Sequence, residues 1–367
     1  MVKIKATVGQ LLGPLQQVTG IVERRHTLPI LSNVLVQSHA GRIEFIATDL
    51  EVQITAGVAV EGAAEGSVTV AARKLHDILR SLPEDSEVAL EAKDNRMVVR
   101  AGKSRFNLQT LASADFPRMV ESKDASRSLA LPQRSLKHAL GLVQFAMAVQ
   151  DIRYYLNGVL FAVDGDTLRV VATDGHRLSY AAEKLGATHE GVEAILPRKT
   201  VLELIKLLGD GDEPVNMVIG SNQVRFSFGG IEIVSKIVEG KFPDYGKVIP
   251  VGNRNRVEVD RHVLAQSLNR ASILSNEKIR GVRMVFTKDA LSIICSNNDQ
   301  EEAEESLAIA YDGDAIDIGF NISYLLDALN HVDAERISMS MGDANSSALV
   351  QIPGNDDFKY VVMPMRI

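Results

Sequence analysis

Alternating apolar and polar positions recur along this chain in a long, near-constant frame. Asn33-Val34-Leu35-Val36, Asn157-Gly158-Val159-Leu160 and Gly281-Val282-Arg283-Met284 each open a strand pattern, and a polar turn and a second strand follow. The three copies close alike, on Ala47-Thr48-Asp49, Ala172-Thr173-Asp174 and Cys295-Ser296-Asn297. Successive copies start 124 residues apart. A frame this long predicts a tandem array of whole domains and not a solenoid of short repeats.

A second periodicity, that of helices, occurs twice in each copy. Leu11, Leu12, Leu15, Val18 and Val22 place an apolar stripe on a helix near 9–25, Leu136, Leu140, Val143 and Met147 on one near 133–150, and Leu264, Leu268 and Ala271 on one near 261–277. Shorter helices are expected near 73–82, 198–208 and 321–331, with Pro197 and Asn321 as start signals. Gly13-Pro14 predicts a kink or a late start in the first helix. Polar stretches near Ser122–Ser128 and Gly252–Arg256 are the expected linkers. The predicted fold is α+β: three tandem similar domains of antiparallel sheet with two helices each, at 1–125, 126–253 and 254–367.

Composition narrows the class. Apolar residues at 46% and charged residues at 24% are ordinary for a soluble globular protein. No run approaches the length of a membrane span, and Met1-Val2-Lys3-Ile4-Lys5 lacks the apolar core of a signal peptide, so a cytoplasmic setting is expected. The single cysteine, Cys295, excludes an internal disulfide and a cysteine-based metal cluster, and its strand pattern makes it a buried small hydrophobe.

A net charge of −7 argues against a uniformly polyanion-binding surface, but the charge is segregated. Counted over 9–25, 73–81, 133–150, 198–208, 261–270 and 321–331, the predicted helical segments carry +8, which leaves −15 for everything else. Helices that share one face would make it basic and suited to nucleic-acid phosphates. Arg96, Arg100, Lys103 and Arg105 in the first copy face Asp299, Glu301, Glu302, Glu304 and Glu305 in the last as a complementary pair, which suggests a head-to-tail contact between chains. A domain of this size is roughly 35 Å across, and six in a ring leave a hole of about 35 Å. Such a hole admits a duplex about 20 Å wide.

Enzyme motifs fail on inspection. Gly102-Lys103-Ser104 would end a P-loop, but Met97 stands where the motif needs glycine. Gly209-Asp210-Gly211 is followed by Pro214 where a dinucleotide fingerprint needs glycine. No His-Glu-x-x-His or Gly-x-Ser-x-Gly is present, so no metal, cofactor or catalytic nucleophile is expected. Asp174 and His176 in Thr173-Asp174-Gly175-His176-Arg177 are the most enzyme-like pair, for which a turn or ligand-contact role is expected. Two other readings stay open: acid–base work by that pair on a nucleotide, and a monomeric scaffold that binds only proteins.

Several longer motifs carry a resemblance. Thr27-Leu28-Pro29-Ile30-Leu31, Gln150-Asp151-Ile152-Arg153-Tyr154-Tyr155-Leu156-Asn157-Gly158, Ala172 to Leu178, Phe242-Pro243-Asp244-Tyr245, Leu274-Ser275-Asn276-Glu277-Lys278 and the ending Tyr360 to Arg366 are similar to those of the beta sliding clamps, the processivity subunits of bacterial DNA polymerase III. The resemblance implies a crescent that dimerises head-to-tail into a closed ring around double-stranded DNA. It also implies no catalytic activity of its own, loading by an ATP-driven clamp loader, and a hydrophobic groove for short peptide motifs of the polymerase and repair proteins. Groove residues would be Leu156, Thr173, Gly175, His176, Arg177, Leu178, Pro243, Val248, Val361, Met363, Pro364, Met365 and Arg366. DNA contacts would be Arg25, Arg73, Gln150, Tyr154, Tyr155, Arg198 and Lys199. The dimer interface would use Phe106 and Leu108 against Ile273 and Leu274, framed by Lys74, Arg96, Lys103 and Arg105 and by Glu301, Glu302, Glu304 and Glu305. Gly246-Lys247 stands where the family often has two arginines, and Ile367 where it often ends in leucine.

Overall fold

The computed structural model describes all residues except 1, 24–27, 40, 62–63 and 121–126, and the side chain of Val2. Six α-helices lie among the described residues: α1 (Val8–Thr19), α2 (Ala72–Arg80), α3 (Gln133–Val143), α4 (Arg198–Leu207), α5 (Arg261–Ser272) and α6 (Ile322–His331). They fall two to each predicted domain. The apolar stripes face inward: Leu11, Leu15 and Val18 of α1, Leu136 and Leu140 of α3, and Leu264 and Leu268 of α5 are buried.

The helix starts follow from local chemistry. Thr7 caps α1 in a reciprocal box with Gln10, its hydroxyl accepting the Gln10 N–H at 3.3 Å and its own N–H donating to Gln10 Oε1 at 2.9 Å. That cap starts the helix at Val8, so the expected late start does not occur, and Pro14 sits inside the helix at the cost of one backbone bond. Asp260 caps α5 and Asn321 caps α6. The α3 helix is shorter than its stripe. It ends at Val143, and a 3-10 turn carries the chain on from Gln144 to Ala146.

The chain forms two compact units. One takes Met1–Arg134 with Leu202–Ile237, the other Ser135–Val201 with Val238–Ile367. The first unit holds a twelve-stranded antiparallel sheet. Its spatial order is Val2–Thr7, Glu87–Lys93, Arg96–Ala101, Ser104–Leu111, Gly66–Ala71, Asn33–His39, Arg42–Thr48, Val52–Ala59, Ile231–Lys236, Gln223–Phe228, Pro214–Ile219 and Arg127–Pro132. The helices α1 and α2 pack together beneath it.

The second unit holds two sheets. One runs Gly158–Thr173, Arg177–Pro197, Asn355–Val362, Ala348–Ile352, Arg336–Met341, Asn255–Asp260, and the other Glu302–Ala308, Ala290–Ser296, Gly281–Thr287, Ile316–Asn321. The helices α5 and α6 pack together here. Cys295 is buried in the smaller sheet, and burial pushes its thiol up to about 11.

Successive repeats are joined by strand pairing, which the sequence did not announce. Val52–Ala56 pairs antiparallel with Ile231–Ser235, and Arg177–Ala181 with Phe358–Val362. The two junctions match to the bond. The Lys236 N–H donates to the Glu51 carbonyl at 2.9 Å, and the Met363 N–H donates to the His176 carbonyl at 2.9 Å. Strands already begin at Arg127 and Asn255, inside the stretches expected to be linkers.

Removing the cap of α1 by Thr7→Ala is expected to lower the stability of the first unit by about 1 kcal/mol. Urea unfolding followed by circular dichroism measures it.

Candidate functional site

The site is built on the second copy of a repeated turn. In Thr173–Arg177 the threonine hydroxyl donates to the Arg177 carbonyl at 2.6 Å and accepts the Gly175 N–H at 3.1 Å. One carboxylate oxygen of Asp174 accepts the N–H of His176 at 2.9 Å and of Arg177 at 3.1 Å. Thr48 and Asp49 make the same bonds around Val52 in the first copy. In each, the middle residue of the five is left-handed, Leu50 at φ 77° and Gly175 at φ 91°. Glycine is favoured at 175 by its positive φ, and a Cβ there would come 3.0 Å from Arg153 Nη1, so that side chain would have to shift. Asp174 is therefore a turn former whose oxygens are occupied.

Arg177 turns its guanidinium inward, beneath the cleft. Nε donates to Asp174 at 3.1 Å, Nη1 to Asp327 of α6 at 2.5 Å, and Nη2 to the Phe145 carbonyl at 2.7 Å. Its plane lies 4.3 Å from the ring centre of Tyr324. Burial opposes this charge, but Tyr360, Asp327 and Asp174 together hold the arginine's pKa above its ordinary value. Burial pushes the Tyr360 phenol up, and its hydroxyl donates to the Tyr324 carbonyl at 2.8 Å. One side chain thus ties the turn, the end of α3 and the α6 helix together.

Pairing of Arg177–Ala181 with Phe358–Val362 lays the C-terminal segment beside that turn. Met363 is held by the His176 carbonyl, and the Met365 N–H donates to the Gly319 carbonyl at 2.8 Å. Between these two attachments opens a cleft of about 170 Å³ lined by His176, Asn321, Tyr324, Met363, Pro364 and Met365. The adjoining core contains Leu178, Val361, Phe242, Tyr180 and Leu160, with Tyr155, Tyr245 and Val248 half-buried against it. Apolar walls with a few convergent polar groups are the chemistry of a site for an apolar peptide or small ligand.

Most of the expected groove residues converge here. His176, Met363, Pro364 and Met365 line the cleft, Leu178, Val361 and Val248 share its apolar floor, and Thr173, Gly175 and Arg177 form the turn. Leu156 is buried beside Tyr155, Pro243 follows the buried Phe242, and Arg366 is exposed. Lys247 is engaged by Asp244 at 2.9 Å. Asn321, Tyr324, Asp327 and Phe145 were not foreseen. Asn321 was visible only as a helix cap, and Asp327 only as a negative charge in a basic count.

The expected DNA contacts are placed less uniformly. Gln150 and Tyr154 are exposed, on a loop where Gln150 adopts φ 56°. Arg153 in that loop donates to both oxygens of Asp151, at 3.0 and 2.8 Å, and holds its carboxyl down at about 2. Tyr155 turns inward to the groove core. Arg198 opens α4, its N–H donating to the Asn157 carbonyl at 3.0 Å, and Lys199 is half-buried. Arg73 is exposed and donates to the Val22 carbonyl at 3.0 Å. Arg25 lies outside the described residues. Some of the basic helix count is neutralised within the chain, since Arg134 pairs with Asp212 at 2.8 Å and Arg270 with Glu305 at 2.8 Å.

The expected interface residues lie on two strand edges. Among the described residues, Ser104–Gln109 pairs only with Arg96–Ala101, and Glu302–Ala308 only with Ala290–Ser296. Arg96, Lys103 and Arg105 are exposed near the first edge with Lys74 on α2, and Phe106 and Leu108 alternate with them, half-buried. Ile273 is 77% exposed just past α5, with Leu274 half-buried. Glu302 and Glu304 point outward. Glu301 is exposed and accepts from the Asn297 side chain at 2.6 Å. Glu305 departs from the expectation: it faces back to Arg270, whose hydrogen bond keeps its carboxyl below the usual range.

Three α+β repeats tied by strand pairing, with one apolar cleft beside the chain end, define a clamp-type architecture. Known proteins share it. Residues 2–120, 130–244 and 246–366 match the DNA polymerase III beta subunit N-terminal, central and C-terminal domains, respectively. The chain is 46% identical over 359 residues to the beta sliding clamp of Pseudomonas putida and 45% identical over 358 residues to that of Escherichia coli, covering 97% of this chain and 98% of each relative. It superimposes on the Pseudomonas aeruginosa clamp bound to griselimycin with a TM-score of 0.97 at 44% identity, and on the Bartonella birtlesii clamp bound to griselimycin with 0.95 at 36% identity, over the whole of each chain. The chain belongs to the DNA polymerase III beta subunit family, the bacterial beta sliding clamps.

Asp327→Ala leaves the Arg177 guanidinium without its partner on α6. Asp327 is 39% exposed, so the expected loss is about 2 kcal/mol, below the 3–5 kcal/mol typical of a fully buried pair. Urea unfolding of the variant checks it.

Proposed function

We propose that two copies of this chain close head-to-tail into a ring that encircles duplex DNA and tethers partner proteins through the cleft beside the C-terminal segment. The three domains take the boundaries 1–125, 126–253 and 254–367. The observation that carries the ring is a pair of open strand edges of opposite charge: Ser104–Gln109, flanked by Arg96, Lys103 and Arg105, and Glu302–Ala308, which presents Glu302 and Glu304. An unpaired edge is a template for another strand. Antiparallel addition of one to the other would bury Phe106 and Leu108 against Ile273 and Leu274, and opposite charges would fix the partner and its direction.

Basic and polar groups at Arg25, Arg73, Gln150, Tyr154, Tyr155, Arg198 and Lys199 would face the duplex. Contacts to phosphates carry no base information, so the ring would slide. The cleft would take short apolar segments of the replicative polymerase, the clamp loader and repair proteins, and griselimycin, with which two relatives were crystallised, serves as its chemical probe. The clamp itself would perform no catalysis and act in the cytoplasm.

Two experiments test the ring. Equilibrium sedimentation is expected to give a species near twice 40.0 kDa, and Phe106→Asp with Leu108→Asp is expected to return it to the monomer. A dimer that survives both changes means the interface lies elsewhere. Once loaded, the protein is expected to stay on nicked circular DNA and to run off linear DNA, and Arg73→Glu with Arg198→Glu is expected to shorten retention, more so as salt rises. Equal retention on both DNA forms would rule out a topological hold.

A further inference from the structure

We infer that Gly319, together with Gly281, is a positioning residue that seats the C-terminal segment and so sets the shape of the cleft. The inference rests on the proposal that this cleft is the binding groove. Strand Ile316–Asn321 pairs with Gly281–Thr287 on one side. The Met365 N–H donates to the Gly319 carbonyl at 2.8 Å, so one backbone hydrogen bond ties the segment to that strand.

The approach is too close for any side chain at 319. A Cβ there would lie 2.4 Å from the Met365 carbonyl oxygen and 2.7 Å from Ile367 Cδ1. Because the first obstacle is backbone, a side-chain adjustment cannot relieve it. At Gly281 a Cβ would lie 3.3 Å from Ile367 Cδ1 and 3.4 Å from its Cγ1. The two glycines thus form a notch, and the Ile367 side chain lies over both, although the residue remains 64% exposed. Glycine within a strand marks such close approach of another backbone.

The segment has two attachments, at His176 and at Gly319, and the cleft wall Met363-Pro364-Met365 spans them. Loss of the second leaves that wall hinged at Met363 alone. The notch touches no ligand. It acts through Met365 and Ile367.

The test compares Gly319→Ala and Ile367→Ala with the parent chain. Three measurements are made: release of the C-terminal residue by carboxypeptidase A, affinity for griselimycin by calorimetry, and sedimentation. Gly319→Ala is expected to speed release of Ile367 and to weaken griselimycin by about tenfold, with the dimer unchanged. Ile367→Ala leaves the sheet alone and is expected to weaken griselimycin by a smaller factor, which keeps the inference testable should the glycine variant fold poorly. Parental release and affinity in Gly319→Ala would overturn the seat. Faster release with parental affinity would overturn its role in shaping the cleft. A parent chain that binds no griselimycin would sink the groove proposal instead, and the release assay would still judge the seat.

Discussion

The antiparallel pairing of Arg177–Ala181 with Phe358–Val362 is the constraint on which the cleft depends. It joins strands nearly two hundred residues apart in the chain, and its register decides which side chains meet. Leu178 opposes Val361, which puts two buried apolar residues into one floor, and Arg177 opposes Val362, which brings the chain end past the turn. A slip of one residue would turn these side chains to the opposite face. The hydrogen bonds to Met363 and Met365 follow from that register.

The turn and the arginine beneath it divide the labour. Backbone N–H groups satisfied by Asp174 fix the shape of the turn, and the absence of a side chain at Gly175 leaves room for Arg153. Arg177 works below the surface, where two carboxylates, a carbonyl and an aromatic face compensate a charge that burial alone would disfavour. Asp174, the acidic member of the most enzyme-like stretch, has both carboxylate oxygens engaged within the turn. Asp174 and His176 stand two apart because a five-residue turn needs an acceptor early and tolerates an exposed side chain late.

Much of the fold was legible because it rests on local periodicity. The stripes of α1, α3 and α5 and the alternating strands report burial directly, and the repeat of 124 residues reports the number of domains. The start of α1 follows from the capping box of Thr7 and Gln10, a local signal that prevails over Pro14. Strand pairing between repeats was not legible, because edge-to-edge choice depends on residues far apart in sequence. In the cleft, the residues within recognisable motifs were found, while Tyr324, Asp327 and Phe145 reach it only through tertiary contacts. The basic count on the helices survived less well, since proximity in sequence says nothing of partners such as Asp212 and Glu305.

The two matching junctions have unequal fates. After Lys236 the first junction continues with its next N–H, at Ile237, donated to the Asn222 carbonyl, whereas after Met363 the second runs along the cleft, where Met363, Pro364 and Met365 form a wall. Where the first frame is filled by its own chain, the second leaves Met363, Pro364 and Met365 beside open space that an incoming group can enter.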